Sequence, residues 1–363
     1  MYASKELKSR QLPPLLSPEK TTLTPAEWAD LRKYFLNQLS EHMYGFTPPA
    51  SREVRAELVD HGIKRFCAGK VIHRNYKLYF DTPKGEYSFP FALVLPKKVQ
   101  APPVIMHIAF RNFPDWYIPI EEITDQGFGI AVINYNDISE EATNSDYTLG
   151  LADHFIGNKT REKNEWGRIG VWAYGAMRLM DHLVTRDDID TAHIAVSGHS
   201  RLGKTALWVA AQDERFFAVH VNDSGYGGAG LHRGHIGEKV EDFVRCGSKD
   251  WFCDNFLNIL NQDENERPTD QHMLCACVAP RYLYVASAKD DRCVDWLSDM
   301  LSCYATSPVY EALGKCGFIA PDTIPSPPFA LHQGSIGYHV RNYEHYLSRE
   351  DWNHFIAFLK NKI

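Results

Sequence analysis

The stretch Ser197-Gly198-His199-Ser200-Arg201-Leu202-Gly203-Lys204-Thr205 gathers a hydroxyl, an imidazole, a guanidinium and an ammonium. Two chemistries use such a set. From Gly198 to Thr205 it spells G-x-x-x-x-G-K-T, the pattern of a loop whose backbone N–H groups cradle phosphates. Read instead as apolar strand, Gly-His-Ser, helix, it is the sharp turn that lifts a nucleophilic serine for acyl transfer. The interior of the first pattern holds His199, Ser200, Arg201 and Leu202, and such bulk is unhelpful where a backbone must wrap phosphate. Asp223, ending FAVHVND, is the acid that would serve Mg²⁺ in that reading.

Acyl transfer asks for more. A histidine must take the serine proton and a carboxylate must orient it, in the chain order Ser, acid, His. Asp291 follows the apolar run RYLYVASA, and His345 lies in GYHVRNYEHYLSREDW before the last helix. Asp223 is the second candidate acid, with a plainer role as backbone partner of the turn NDSGYGG. Asp290 adjoins Asp291 but should point the other way, and His339 is the alternative base. In the G-x-S-x-G pattern the second glycine is two residues past the serine; here Gly203 comes one later and Arg201 follows Ser200 directly. After PPVIMHIAF the chain reads RNFPDW, not an HGGG-type loop. Arg201 is therefore the candidate to stabilise a developing oxyanion. Ser200 as a simple helix N-cap is the plain alternative.

Elements able to position these residues are visible in the patterning. EVRAELVD, VIHRNYKLYFDT and EYSFPFALVLPK partly alternate and are separated by polar turns, as antiparallel strands do. PPVIMHIAF, IAVIN (130–134), HIAVSG (193–198), FAVHVND (217–223) and RYLYVASA (281–288) are nearly unbroken apolar runs, expected of parallel strands buried on both faces. Helices are predicted from Thr24 toward Met43, where Thr24, Pro25 and Glu27 form an N-terminal signature. Others are predicted over Trp166–Val184, Thr205–Ala211, Val294–Leu313 and Arg349–Leu359. This order predicts one α/β domain over 1–363 with a mostly parallel sheet, antiparallel N-terminal strands and helices on both faces. Residues 1–20 read as an extended arm, and 139–165 as a long polar loop beside the site.

Composition narrows the partners. The chain has 363 residues, 44% hydrophobic and 23% charged, with a net charge of −7. No run of Lys and Arg exceeds two, so the basic face that nucleic acid requires is not expected. No apolar stretch is long enough for a membrane span. Eight cysteines without C-x-x-C spacing, and no secretory signal in MYASKELKSRQLPPLLSPEK, point to reduced thiols in a cytoplasm. Cys275-Ala-Cys277 within HMLCACVA reads as small buried hydrophobes. His232 and His235 resemble a metal pair but have no third ligand at a suitable spacing, so neither metal nor cofactor is expected.

Gly198-His199-Ser200-Arg201-Leu202-Gly203-Lys204 resembles the G-C/H-S-R-x-G-K signature of the glucuronoyl esterases. The similarity extends through WGRIGVWAYGAMRLMDHL, the run from Ser200 to Gly228, PRYLYVASAKDD and GYHVR…H…DW, covering roughly residues 20–360. It implies an α/β-hydrolase fold and hydrolysis of esters between 4-O-methyl-glucuronate on xylan and lignin alcohols. It implies Ser200 as nucleophile, His345 as base, and Asp291 or Asp223 as acid, with Asp291 favoured. Arg201 would match the oxyanion arginine, Lys204 a lysine that binds sugar hydroxyls, and Glu238 an acid that binds further hydroxyls. Cys293 stands where the family commonly has a tryptophan that packs on the sugar. Related alternatives are an acetyl esterase on xylan or a methyl-esterase on a pectic uronate. A cytoplasmic member would take oligosaccharide or small esters.

Overall fold

In the computed structural model, residues 1–50, 53–141 and 146–363 are described. Their strands are β1 (Val54–Asp60), β2 (Val71–Thr82), β3 (Gly85–Pro96), β4 (Pro103–Ala109), β5 (Gly129–Asn134), β6 (Asp190–His199), β7 (Ala218–Asn222), β8 (Tyr282–Ala288), β9 (Phe329–Leu331) and β10 (Ile336–Arg341). They join in one sheet of order β1-β2-β3-β5-β4-β6-β7-β8-β10-β9. The stretch from β5 to β10 is parallel, and β1, β2, β3 and β9 add antiparallel edges.

The burial patterns explain that division. β2 alternates buried and more open positions, as a strand with one wet face must. From Val104 to Ala109 in β4, and throughout β7 and β10, every residue is buried, because helices cover both faces of the parallel core. The helices Pro25–Leu39, Arg168–Leu183, Arg201–Gln212 and Trp296–Ala312 pack one face. Ile120–Asp125 and Arg349–Lys360 pack the other through Ile123, Trp352 and Phe355. The mostly parallel α/β arrangement matches the reading of the sequence.

Several local expectations are corrected. The first 20 residues are not an extended arm: Ala3–Arg10 is a helix. Ala3 packs with Leu231 and Leu301, and the buried Arg10 donates to the Arg233 carbonyl at 2.5 Å and Ser298 Oγ at 3.0 Å. Two long-range anchors thus support a helix too short to be evident beside Pro13-Pro14. The helix after Ser200 begins at Arg201, earlier than the sequence suggests. β10, read only as the segment bearing the histidine, is a fully buried strand. The 139–165 segment contains the helix Gly150–Phe155, and its residues 142–145 lie outside the described ones. Its flanks are fastened: Trp172 Nε1 donates to the Ser139 carbonyl at 2.9 Å and Tyr147 Oη to the Asp250 carbonyl at 2.9 Å.

Candidate active site

Ser200 alone separates β6 from its following helix. It has φ 57° and ψ −129°, in the region strained for any side chain but glycine. Its N–H donates to the Asn222 carbonyl at 2.9 Å, and its carbonyl accepts from Lys204 N–H at 3.1 Å. So tight a turn fixes the neighbours. A Cβ at residue 198 would lie 2.0 Å from the Leu202 carbonyl oxygen, so only glycine fits. Gly203 does another job: a Cβ there would sit 2.9 Å from the Asn222 carbonyl oxygen, where the helix crosses the end of β7. The displaced glycine answers to packing on the next strand. The same geometry removes the phosphate-cradle reading. No loop spans His199–Leu202 to wrap an anion, and Lys204 Nζ is turned onto the Ser224 carbonyl at 2.8 Å and Glu238 Oε1 at 2.9 Å.

His345, on the loop after β10, lines a pocket of about 300 Å³ with Ser200, Arg201, His199, Phe110, Arg111 and Tyr117. Its Nδ1 is hydrogen-bonded to Asp291 Oδ2. Burial pushes the Asp291 carboxyl up, but the bonds from His345 and from the N–H groups of Cys293 and Val294 outweigh it and hold the group below the usual carboxylate value. An ionised carboxylate only accepts, so Nδ1 donates, which leaves Nε2 to receive a proton. Asp290 faces elsewhere, accepting the Tyr343 N–H at 3.0 Å. His339 is fully buried, bonded to Asp351 at 2.9 Å and Tyr284 Oη at 2.8 Å, and does not line the pocket.

Asp223 lies close by. One ligand-type atom of each of Asp223, Asp291 and His345 falls within 4.8 Å of the others. Both Asp223 oxygens are engaged, however: Oδ1 accepts the Ala288 N–H at 2.7 Å and Oδ2 accepts from Arg341 Nη2 at 3.2 Å. Burial first, and the nearby Asp351 second, raise the Asp223 pKa well above that of a free carboxylate. The residue sits at φ 44°, a second strained position beside the first.

Arg201 is held from the 139–165 segment, by a residue the sequence reading did not single out. Its Nη2 donates to Glu141 Oε2 at 2.7 Å and to Tyr135 Oη at 3.1 Å. Among the described residues its buried Nε–H has no hydrogen-bond partner. Trp251 Nε1 donates to the other Glu141 oxygen at 2.9 Å. The length and polarity of that segment were the available signal. Lys204 is 2% exposed and Glu238 is the more open of the two; neither is among the residues lining the Ser200 pocket. Cys293 is exposed, and its carbonyl accepts the Glu238 N–H at 2.9 Å. His232 and His235 turn to backbone, Nε2 of the first accepting the Gly227 N–H and Nδ1 of the second meeting the Leu231 carbonyl.

The chain is similar to known esterases. The family model described as "Glucuronyl esterase, fungi" matches residues 81–314. Carbohydrate esterase MZ0003, from an unknown prokaryotic organism, is 31% identical, covering 98% of this chain and 90% of its own. A 4-O-methyl-glucuronoyl methylesterase of Podospora anserina is 31% identical over 51% of this chain and 40% of its own. Among solved structures, a glucuronoyl esterase from Solibacter usitatus superposes with a TM-score of 0.83 at 28% identity, over 96% of this chain and 98% of its own. A promiscuous CE15 esterase from a marine bacterial metagenome gives 0.83 at 29% identity, over 97% of each chain. The chain belongs to the glucuronoyl esterase family and is a carboxylic ester hydrolase of the serine type.

Proposed function

We propose that this enzyme hydrolyses uronate esters, of the 4-O-methyl-glucuronoyl class, through an acyl-enzyme on Ser200. The observation that carries the proposal is the shared pocket of Ser200 and His345, with His345 Nδ1 committed to Asp291. His345 Nε2 takes the proton as Ser200 Oγ attacks the ester carbonyl, and returns it to the leaving alcohol. Water then enters, loses a proton to the same nitrogen and releases the uronate. Asp291 holds the imidazole tautomer and stabilises its cation. The Arg201 guanidinium, which lines the pocket, and the first N–H groups of the helix Arg201–Gln212 are the donors for the oxyanion. Glu238, braced by Lys204, is the acceptor for hydroxyls of the acyl sugar. No step calls for a metal or cofactor.

Replacing Ser200 by alanine, with circular dichroism as a check on folding, tests the mechanism. We expect turnover of benzyl glucuronate to vanish; retained turnover in a folded S200A protein overturns it. Parallel rates on methyl galacturonate and acetylated xylan test the acyl class, and a preference for either would reassign the substrate. The substrate is a small or oligosaccharide ester; neither nucleic acid nor a membrane surface is a proposed partner. Among the described residues no helix is long and apolar enough to cross a membrane. All eight cysteines are free thiols, which supports a reducing, cytoplasmic setting. Fractionation that finds the native protein outside the cell removes that part of the reading.

A further inference from the structure

We infer that Arg341 is a positioning residue for the base: one buried guanidinium builds the loop that presents His345 and keeps the second acid turned away from it. This rests on the reading of His345 as the base.

Arg341 ends β10, four residues before His345, and is 3% exposed. A guanidinium carries five N–H donors in a fixed fork, and every arm is occupied. Nε donates to Asp351 Oδ1 at 3.1 Å and Oδ2 at 2.9 Å. Nη1 donates to the carbonyls of Asn342 and Glu344, each at 3.0 Å. Nη2 donates to the Tyr346 carbonyl and, at 3.2 Å, to Asp223 Oδ2. The carbonyls it grips, on residues 342, 344 and 346, bracket His345 on both sides. The loop is open to solvent, with Tyr343 77% exposed; Asp290 ties it at Tyr343, through two bonds of 3.0 Å, and Arg341 ties the carbonyls on either side of His345.

The same fork settles a competition. Two carboxylates lie near one imidazole. With Oδ2 on Arg341 and Oδ1 on the Ala288 N–H, Asp223 is held away from Nδ1, which goes to Asp291. Asp351 is the counter-charge and is itself anchored. Its Oδ2 accepts the Ser348 N–H at 2.6 Å and the Ser348 hydroxyl at 2.8 Å, in the capping box of the last helix, and Oδ1 meets His339. The chain of support thus runs from a helix N-terminus, through Asp351 and Arg341, to the His345 loop. A lysine carries the charge but not the fork, so it cannot hold three carbonyls and two carboxylates together.

The test is Arg341→Lys in the full chain, assayed on benzyl glucuronate with folding followed by circular dichroism and thermal melting. Misplacing a catalytic group by about 1 Å costs about 100-fold in rate. We therefore expect kcat to fall about 100-fold with KM within about threefold of the parent, since the acyl-binding pair Lys204–Glu238 is elsewhere. A folded R341K protein with near-parental kcat, or a loss confined to KM, overturns the proposal. If R341K does not fold, Ser348→Ala decides, because it loosens Asp351 from a less buried position. A several-fold fall in kcat at constant KM supports the proposal, and an unchanged kcat overturns it. Failure of the parent protein to turn over the ester would instead remove the functional reading.

Discussion

Arg201 and Glu141 are hydrogen-bonded at 2.7 Å, although sixty positions separate them in the chain. The Glu141 carboxylate is a hub: Tyr135 Oη donates to its Oε2 at 2.9 Å, and Trp251 Nε1 to its Oε1 at 2.9 Å. A guanidinium next to a nucleophile is useful only if its charge is aimed before reaction, because reorientation during the step costs what preorganisation saves.

The first prediction follows. Arg201→Ala should lower kcat on a uronate ester by about 100- to 1,000-fold, the cost of removing an oxyanion donor. Glu141→Ala should lower it by about tenfold, because the charge survives but its aim is lost. Glu141→Gln, which keeps an acceptor, should be milder than the alanine. Steady-state kinetics on the three variants check the order. Equal losses in E141A and R201A would mean that Glu141 acts directly and not through the arginine.

The second prediction concerns the acids. Asp291→Asn deprives His345 of an ionised acceptor and favours the wrong tautomer, a change that costs about 10⁴-fold in related triads. Asp223→Asn leaves that bond in place, and its loss should be at least about tenfold smaller on that scale. A reversed ranking in kcat/KM assigns the acid to the end of β7.

How far these relations were legible depends on distance in the chain. Ser200, Arg201 and Lys204 share one turn, and their residue types sufficed to single them out. The parallel strands were legible because burial on both faces leaves an unbroken apolar run. Asp291 and His345 followed from chain order, but the identity of the acid depended on where each oxygen points, which no spacing encodes. Arg341 carries no signal of its role in GYHVR; only the fold brings Asp351, Asp223 and three carbonyls around it. Glu141 lay hidden in a segment without periodicity. The elbow helix begins four residues before the predicted Thr205, and Gly203 in its first turn clears the Asn222 carbonyl of the next strand, a contact that spacing does not encode.

The third prediction separates acyl recognition from chemistry. Glu238 is bonded to Lys204 at 2.9 Å and is the more open partner. Glu238→Gln keeps the shape and weakens hydroxyl binding by a charge-assisted bond, about 1.5–3 kcal/mol, or about 10- to 100-fold in kcat/KM on a glucuronate ester. Hydrolysis of 4-nitrophenyl acetate, which has no hydroxyls to bind, should change little. A parallel loss on both esters would show that the residue supports the site and does not read the sugar.

The fourth prediction is about stability. Asp299 is wholly buried in the helix Trp296–Ala312; its Oδ2 accepts from Ser287 Oγ at 2.8 Å, and its Oδ1 has no partner among the described residues. Burial, with repulsion from Asp295 and Asp291, pushes its pKa up to about 8 against the partial relief of Ser287 and Lys204. The folded state therefore keeps a proton that the unfolded chain releases near pH 4. The sign follows from linkage: where the native state binds more protons, stability falls as pH rises. The stabilisation is complete below the unfolded pKa and is lost progressively up to about pH 8, at about 1.4 kcal/mol per pH unit. Asp299→Asn cannot titrate, so it lacks this loss, whatever fixed cost its amide brings. The difference in Tm between D299N and the parent should thus move in favour of the variant from pH 5 to pH 8. Melting curves at the two pH values read it directly, and a difference that stays constant would mean that Asp299 is ionised in the folded protein.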